Sequence, residues 1–201
     1  MEDVHMNQNS SVSRKNTLMG PFTAQKLCVI AIAIVLNVIG GNIALALHLP
    51  IFLDSMGTIL IALIYGPVYG ILPPLLYGLV MGFTVDIFSL YYMPVGMLLG
   101  LVTGLVAMRF SLKGWRIFPG AFLITVPGTI ISSIITAVLF GGITSSGGTV
   151  IVQVLHKAGL SLTASVFIVQ ILTDYLDRVI SLFLVMSLLL VIPKRLYQDQ
   201  H

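Results

Sequence analysis

Hydrophobic residues along this chain come in long runs, and the polar and turn-forming residues between them divide it into six apolar stretches. Leu27 to Leu47 is the first. Ser55 to Tyr65 is short and stops at Gly66-Pro67-Val68-Tyr69-Gly70, where proline and glycine mark a turn. Ile71 to Leu90 is the third, with Pro73-Pro74 near its start. Tyr91-Tyr92-Met93-Pro94 reads as a tight loop before the fourth stretch, Val95 to Met108. Arg109, Lys113, Trp115 and Arg116 form a basic loop with an interfacial aromatic. Ile117 to Phe140 is the fifth, with Pro127-Gly128 as a kink point. Gly141 to Gly148 reads as a flexible loop, a less regular stretch runs to about Thr173, and Tyr175 to Ile192 closes the sixth before Pro193-Lys194-Arg195. The polar residues 1–20 predict a flexible cytoplasmic tail, leaving a six-helix membrane domain over 21–195 and a second cytoplasmic tail over 196–201. The expected fold is all-α, a polytopic membrane protein with six transmembrane helices.

Composition removes the soluble alternatives. The chain is 57% hydrophobic and 8% charged, where a soluble domain carries about 25% charged residues, and its mean hydropathy is +1.05. Six crossings at roughly 20 residues each use about 120 residues, which leaves no room for a separate catalytic or nucleic-acid-binding domain. The first run, at about 20 residues, exceeds the 7–15 of a signal-peptide core. Although Ala44-Leu45-Ala46 mimics a cleavage site, the run is expected to be a retained helix. A single cysteine, Cys28, excludes a disulfide framework and a cysteine-based zinc cluster.

Charge then sets the expected orientation. With a cytoplasmic N-terminus and alternating helices, Arg14, Lys15, Lys26, Arg109, Lys113, Arg116, Lys194 and Arg195 share one side, eight of the 10 basic residues. Both termini are therefore expected in the cytoplasm and the number of spans is even. The net charge of +3 reports topology rather than affinity for nucleic acid. Asp54, Asp86, Asp174, Asp177, Lys157, Arg178, His48 and His156 fall to the other side, and the inner halves of the spans have almost no ionisable groups. That asymmetry predicts a polar bowl at the outer face over an apolar floor, a binding site rather than a pore.

Within the bowl, Asp174 and Arg178 lie four apart on one helix face and are able to pair. Two readings stay open: a structural ion pair, or an arginine offering its planar fork to a ligand carboxylate while Asp174 positions it or takes a ligand hydroxyl. Tyr91 and Tyr92 are interface anchors, or the wall and lid of a small-molecule pocket. His48 and His156 are lone histidines without metal-ligand spacing, so no metal is expected. Asn37, Asn42, Thr136, Gln153 and Gln170 are more suited to hydrogen-bonding a neighbouring helix than a ligand. Glycines at four-residue spacing (Gly96, Gly100 and Gly104; Gly78 and Gly82; Gly40 with Ala44) make either an internal packing face or a docking face for another membrane subunit. Whether they face core or lipid decides between the two. No phosphate loop, zinc-protease helix or nucleophile elbow is present, since Lys113-Gly114 lacks the glycine frame and the Ser/Thr. Neither an enzyme nor a bound cofactor is expected.

The segment Leu49-Pro50-Ile51-Phe52-Leu53-Asp54-Ser55-Met56-Gly57-Thr58-Ile59-Leu60, followed by Gly66-Pro67-Val68-Tyr69-Gly70, resembles the substrate-binding S-components of energy-coupling factor (ECF) vitamin transporters. Thr173-Asp174-Tyr175-Leu176-Asp177-Arg178-Val179-Ile180-Ser181 is similar to the acidic-then-basic entry of the sixth helix in that group. The resemblance covers about 22–195. It implies six helices around an outward-facing vitamin site gated by the loop after helix one. It also implies partnership with a transmembrane T-component and two cytoplasmic ATPases, and delivery by toppling in the lipid bilayer. The family's A-x-x-x-A docking pattern in helix one is missing here, the nearest matches being Ala24 with Cys28 and Gly40 with Ala44. Pantothenate is the favoured ligand, ahead of folate, riboflavin, cobalamin or a pyrimidine precursor: it offers a carboxylate to Arg178, and hydroxyls and an amide to Asp174, Gln170, Asn42 and the tyrosines. The expected substrate site is thus Asn42, His48, Asp54, Tyr91, Tyr92, Gln170, Asp174 and Arg178. A self-contained secondary transporter or channel is the alternative, and a purely structural membrane protein the third class.

Overall fold

The computed structural model describes residues 23–49, 51–143 and 148–191. Both expected tails, with Arg14, Lys15, Lys194 and Arg195, lie outside the described residues, as do Pro50 and 144–147 of the glycine loop. Among the described residues the chain is entirely helical. The helices are α1 (Ala24–Ala46), α2 (Met56–Tyr65), α3 (Leu72–Thr84), α4 (Phe88–Arg109), α5 (Ile117–Phe140), α6 (Gly148–Lys157) and α7 (Leu162–Val191).

Local chemistry explains most boundaries. Thr23 caps α1, its hydroxyl accepting from the Lys26 N–H at 3.3 Å. Pro73 and Pro74 fall in the first turn of α3, where a missing N–H costs nothing. Gly141, at φ 56, ends α5 in the left-handed conformation that glycine adopts without strain.

Two expectations need correction. The third apolar stretch does not run to Leu90, because the chain breaks at Val85–Ile87 and restarts as α4 at Phe88. Asp86 makes the break: its carboxylate accepts from the Phe88 N–H at 3.2 Å, and its carbonyl from the Ser89 N–H at 3.0 Å. Tyr91-Tyr92-Met93-Pro94 is therefore helix rather than loop. The irregular stretch before Thr173 is also helical, as α6 and the first turns of α7, so Tyr175 sits in the middle of the last helix rather than at its start.

Antiparallel packing follows from small residues. Along α4 and the chain from Pro67 through α3, a Cβ added at Gly70 would strike Gly100, one at Gly104 would strike Pro67, and Gly96 lies on Pro74, Gly78 on Met93 and Gly82 on Leu90. The glycine stripes thus face the core, and internal packing is their role. Gly57 of α2 lies against the Ala33 backbone of α1. Beside it, Asn37 accepts from the Gly57 N–H at 2.7 Å and donates to Thr58 at 2.9 Å, capping α2 from the neighbouring helix.

The polarity of the bundle is inside out. Phe83 is 76%, Val138 74% and Leu190 88% exposed, while Asn37, Thr58, Ser132, Ser133, Thr136, Gln170, Asp177 and Ser181 are buried. Water as solvent would select the reverse. Three helical segments, Ala24–Ala46, Phe88–Arg109 and Gly114–Phe140, are long and apolar enough to cross a membrane. α7 has the length, at 30 residues, but Asp174, Asp177 and Arg178 sit in its middle. α2 and α3 are shorter, at 10 and 13 residues. This is the architecture of a membrane protein.

Three basic side chains mark one end of the bundle. Arg109, Lys113 and Arg116 are exposed where α4 meets α5. Lys26, at the same end, is instead buried, with its ammonium 5.7 Å from the Tyr65 ring centre and 5.1 Å from that of Tyr69. Among the described residues, the carboxylates of Asp54, Asp86, Asp174 and Asp177 lie at or towards the opposite end.

Candidate functional site

Towards that acidic end, α1 to α5, α7 and the loop before α2 enclose a cavity of about 110 Å³. One buried water needs only ~10–15 Å³, so the space suits a small solute. Gly41 and Gly96 hold the walls close: a Cβ at Gly41 would strike the Tyr77 hydroxyl, and one at Gly96 would meet Pro74.

The cavity gathers Asp54, Tyr92, Gln170, Asp174 and Arg178, five of the residues expected from sequence. It leaves out three. Asn42 is exposed and donates to the Val38 carbonyl of its own helix at 2.7 Å. His48 is exposed beyond the end of α1, at φ 51. Tyr91 points away and packs edge-on against Phe140 at 5.2 Å.

The ion pair also differs from the one expected. Arg178 bonds its immediate neighbour Asp177, not Asp174, and Ser55 accepts from its Nη1 at 2.8 Å. Adjacent helical residues do not face each other. Here the two side chains converge because both reach the loop before α2, where Asp177 accepts from the Leu53 N–H at 2.9 Å and from the Ser55 hydroxyl at 3.1 Å. Leu53 sits at φ 52, a conformation uncommon for a branched side chain. The α1–α2 loop is thereby clamped onto α7.

Asp174 is held by α5 instead, accepting from Thr129 at 2.7 Å. A second network joins the same helices: Gln170 accepts from Ser133 at 2.8 Å and donates to Thr136 at 2.8 Å, and Thr136 in turn bonds the Tyr92 hydroxyl. The polar residues of α5 that look scattered in sequence (Thr129, Ser132, Ser133, Thr136) form one stripe facing α7.

Sequence reasoning missed Tyr77, Ser55, Thr58, Ser132 and Phe88 as lining residues, and counted Asp86 only as a rim charge. Tyr77 falls inside an apolar run, and only the Gly41 gap opposite betrays it. Asp86 carried a signal that could have been used, since an isolated acid in an apolar stretch marks a helix start.

Burial pushes the carboxyl of the loop residue Asp54 up to about 6, with the like charge of Asp177 adding and the Arg178 guanidinium opposing. A carboxyl raised from 3.8 binds its proton more tightly in the folded chain. Its contribution therefore favours folding at acid pH and is lost as pH rises through the window from about 4 to about 6. The melting temperature of the wild type minus that of Asp54→Asn is expected to fall across that window and level off above it. A difference that stays flat from about pH 4 to 7 would refute the assignment.

Compared with known family models, curated proteins and solved structures, the chain matches none of them.

Proposed function

We propose that the chain is the substrate-binding membrane subunit of an ECF-type importer, capturing a small water-soluble vitamin at the outer face of a bacterial cell membrane. The observation that carries this reading is the polar cavity towards one end of the bundle, resting on an apolar cluster of Leu60, Leu99, Val106, Ile124, Leu182 and Val185. Such a cup holds a solute without offering polar stations across the bilayer.

On this reading α1, α2, α3, α4, α5 and α7 are the six crossings, and α6 lies at the rim. The ~15 Å of α2 falls short of a bilayer core of ~30 Å, but its residues Gly57 to Ala62 are buried among neighbours. Backbone that ends at membrane depth is tolerated where protein surrounds it. The basic end carrying Arg109, Lys113 and Arg116 faces the cytoplasm, which places both termini there. The clamp of the α1–α2 loop on α7 is the gate. A transmembrane T-component and two cytoplasmic ATPases supply the energy, and the subunit topples to deliver its cargo. Docking uses the lipid-facing apolar surface, because the glycine stripes are spent inside. Pantothenate, the ligand expected from sequence, has hydroxyls and an amide that suit Asp174, but its carboxylate has to compete with Asp177 for Arg178, which counts against it.

The purified chain in liposomes is expected to bind its vitamin without ATP and not to accumulate it. Concentrative uptake by this chain alone would refute the reading in favour of a self-contained transporter.

A further inference from the structure

The charges that line the cavity are unequal. Asp54, Asp86 and Asp174 are acidic, and Arg178 is the one basic side chain among the lining residues. Arg178 is already matched: Asp177, 1% exposed, pairs with it and at the same time fastens the Leu53 N–H and the Ser55 hydroxyl. A ligand carboxylate drawing the guanidinium away would leave Asp177 buried without its counter-charge and loosen the clamp on the loop. Some of the neutral donors are committed too. Gln170 and Thr136 bond each other across α5 and α7, and the Tyr92 hydroxyl bonds Thr136. Beside the hydroxyls of Tyr77 and Ser89, what the walls offer a guest is carboxylate oxygen, a strong acceptor without a proton to give when ionised. The rest is apolar, with Phe52, Phe88 and Leu99 among the lining residues.

We infer that the cavity selects a compact solute that is neutral or cationic and carries hydrogen-bond donors (hydroxyl, amide or ammonium) on an apolar body, and rejects a carboxylate. This rests on the reading of the cavity as a solute site and narrows its substrate class. Like charge brought into a low-dielectric space already lined by three acids is unfavourable, whereas donors meet matched acceptors. Exclusion by unpaired charge is how a site discriminates between molecules of similar shape.

Matched pairs of probes isolate charge from shape: pantothenate and pantothenol, nicotinate and nicotinamide, 4-pyridoxate and pyridoxamine. Binding of each to the full chain in detergent is measured by calorimetry, alongside mass spectrometry of small molecules retained from native membranes. In any pair that binds, the neutral or cationic member is expected to bind at least about ten-fold tighter, and any retained molecule is expected to lack a free acid. Asp174→Asn is expected to weaken that member by about ten-fold or more while the chain still elutes as a monodisperse peak. A carboxylate member that binds tighter overturns the inference and leaves the solute-binding reading standing. So does an Asp174→Asn chain that keeps its affinity for the preferred member. If no probe binds and nothing is retained, both fall together.

Discussion

Asp177→Ala is expected to destabilise the chain by about 3–5 kcal/mol, the cost of stranding one partner of a buried ion pair. Asp177 carries three contacts at once. It neutralises Arg178, accepts from the Leu53 N–H and accepts from the Ser55 hydroxyl. Truncating it leaves a guanidinium that is only 14% exposed without its bonded counter-charge, an unpaired N–H on a residue at positive φ, and a loop no longer held to α7. Thermal unfolding in detergent, followed by loss of the monodisperse peak on size exclusion, measures the effect. Removing both charges together in an Asp177→Asn, Arg178→Gln chain is expected to recover part of the loss, because no buried charge is then stranded. An Asp177→Ala chain that melts with the wild type would show that the clamp contributes nothing to the fold.

Gly100→Ala is expected to cost at least about 1–3 kcal/mol, the penalty of overpacking a close contact. The added methyl would overlap the carbonyl and Cα of Gly70, and backbone cannot turn aside as the tip of a side chain can. Gly128→Ala is the control. Its new Cβ would find only Val95 Cγ1, at 3.5 Å, an ordinary contact. In the interior of α5 the same change is expected to be neutral or to stabilise by about 0.4–1 kcal/mol. The two substitutions differ in what lies opposite, so similar melting temperatures would mean that the turn before α3 does not pack on α4 as described.

Much of this was legible in the residue pattern. The fifth apolar run, Ile117 to Phe140, is α5 to the residue, and Ser55 to Tyr65 is α2 with its preceding residue. Runs bounded by Gly-Pro or by charged loops were read well because the breaker acts locally. The failures share one cause. Val85–Ile87 was read through because hydropathy does not register a carboxylate that caps the next helix. Ser165, Gln170 and Thr173 interrupt the apolar run, so hydropathy alone starts α7 at Tyr175 instead of Leu162. In a bundle with an oily exterior such residues mark the inner face, and Ser165 and Gln170 are in fact buried.

The site divides along the same line. Asp54, Gln170, Asp174 and Arg178 were found because ionisable and amide groups in an apolar chain are few, and each needs a partner. Asn42, His48 and Tyr91 were misplaced because sequence gives their level in the bundle and not the side of the helix they leave from. Composition and the order of runs and breaks by themselves determined an all-helical membrane protein with most of its basic residues towards one end, since both follow from the cost of moving charge and bare backbone out of water. Which carboxylate takes Arg178, which glycines touch backbone and which side chains share a cavity were decided only by the tertiary structure. Those depend on contacts between α7 and a loop more than a hundred residues away in sequence, and no local pattern encodes them.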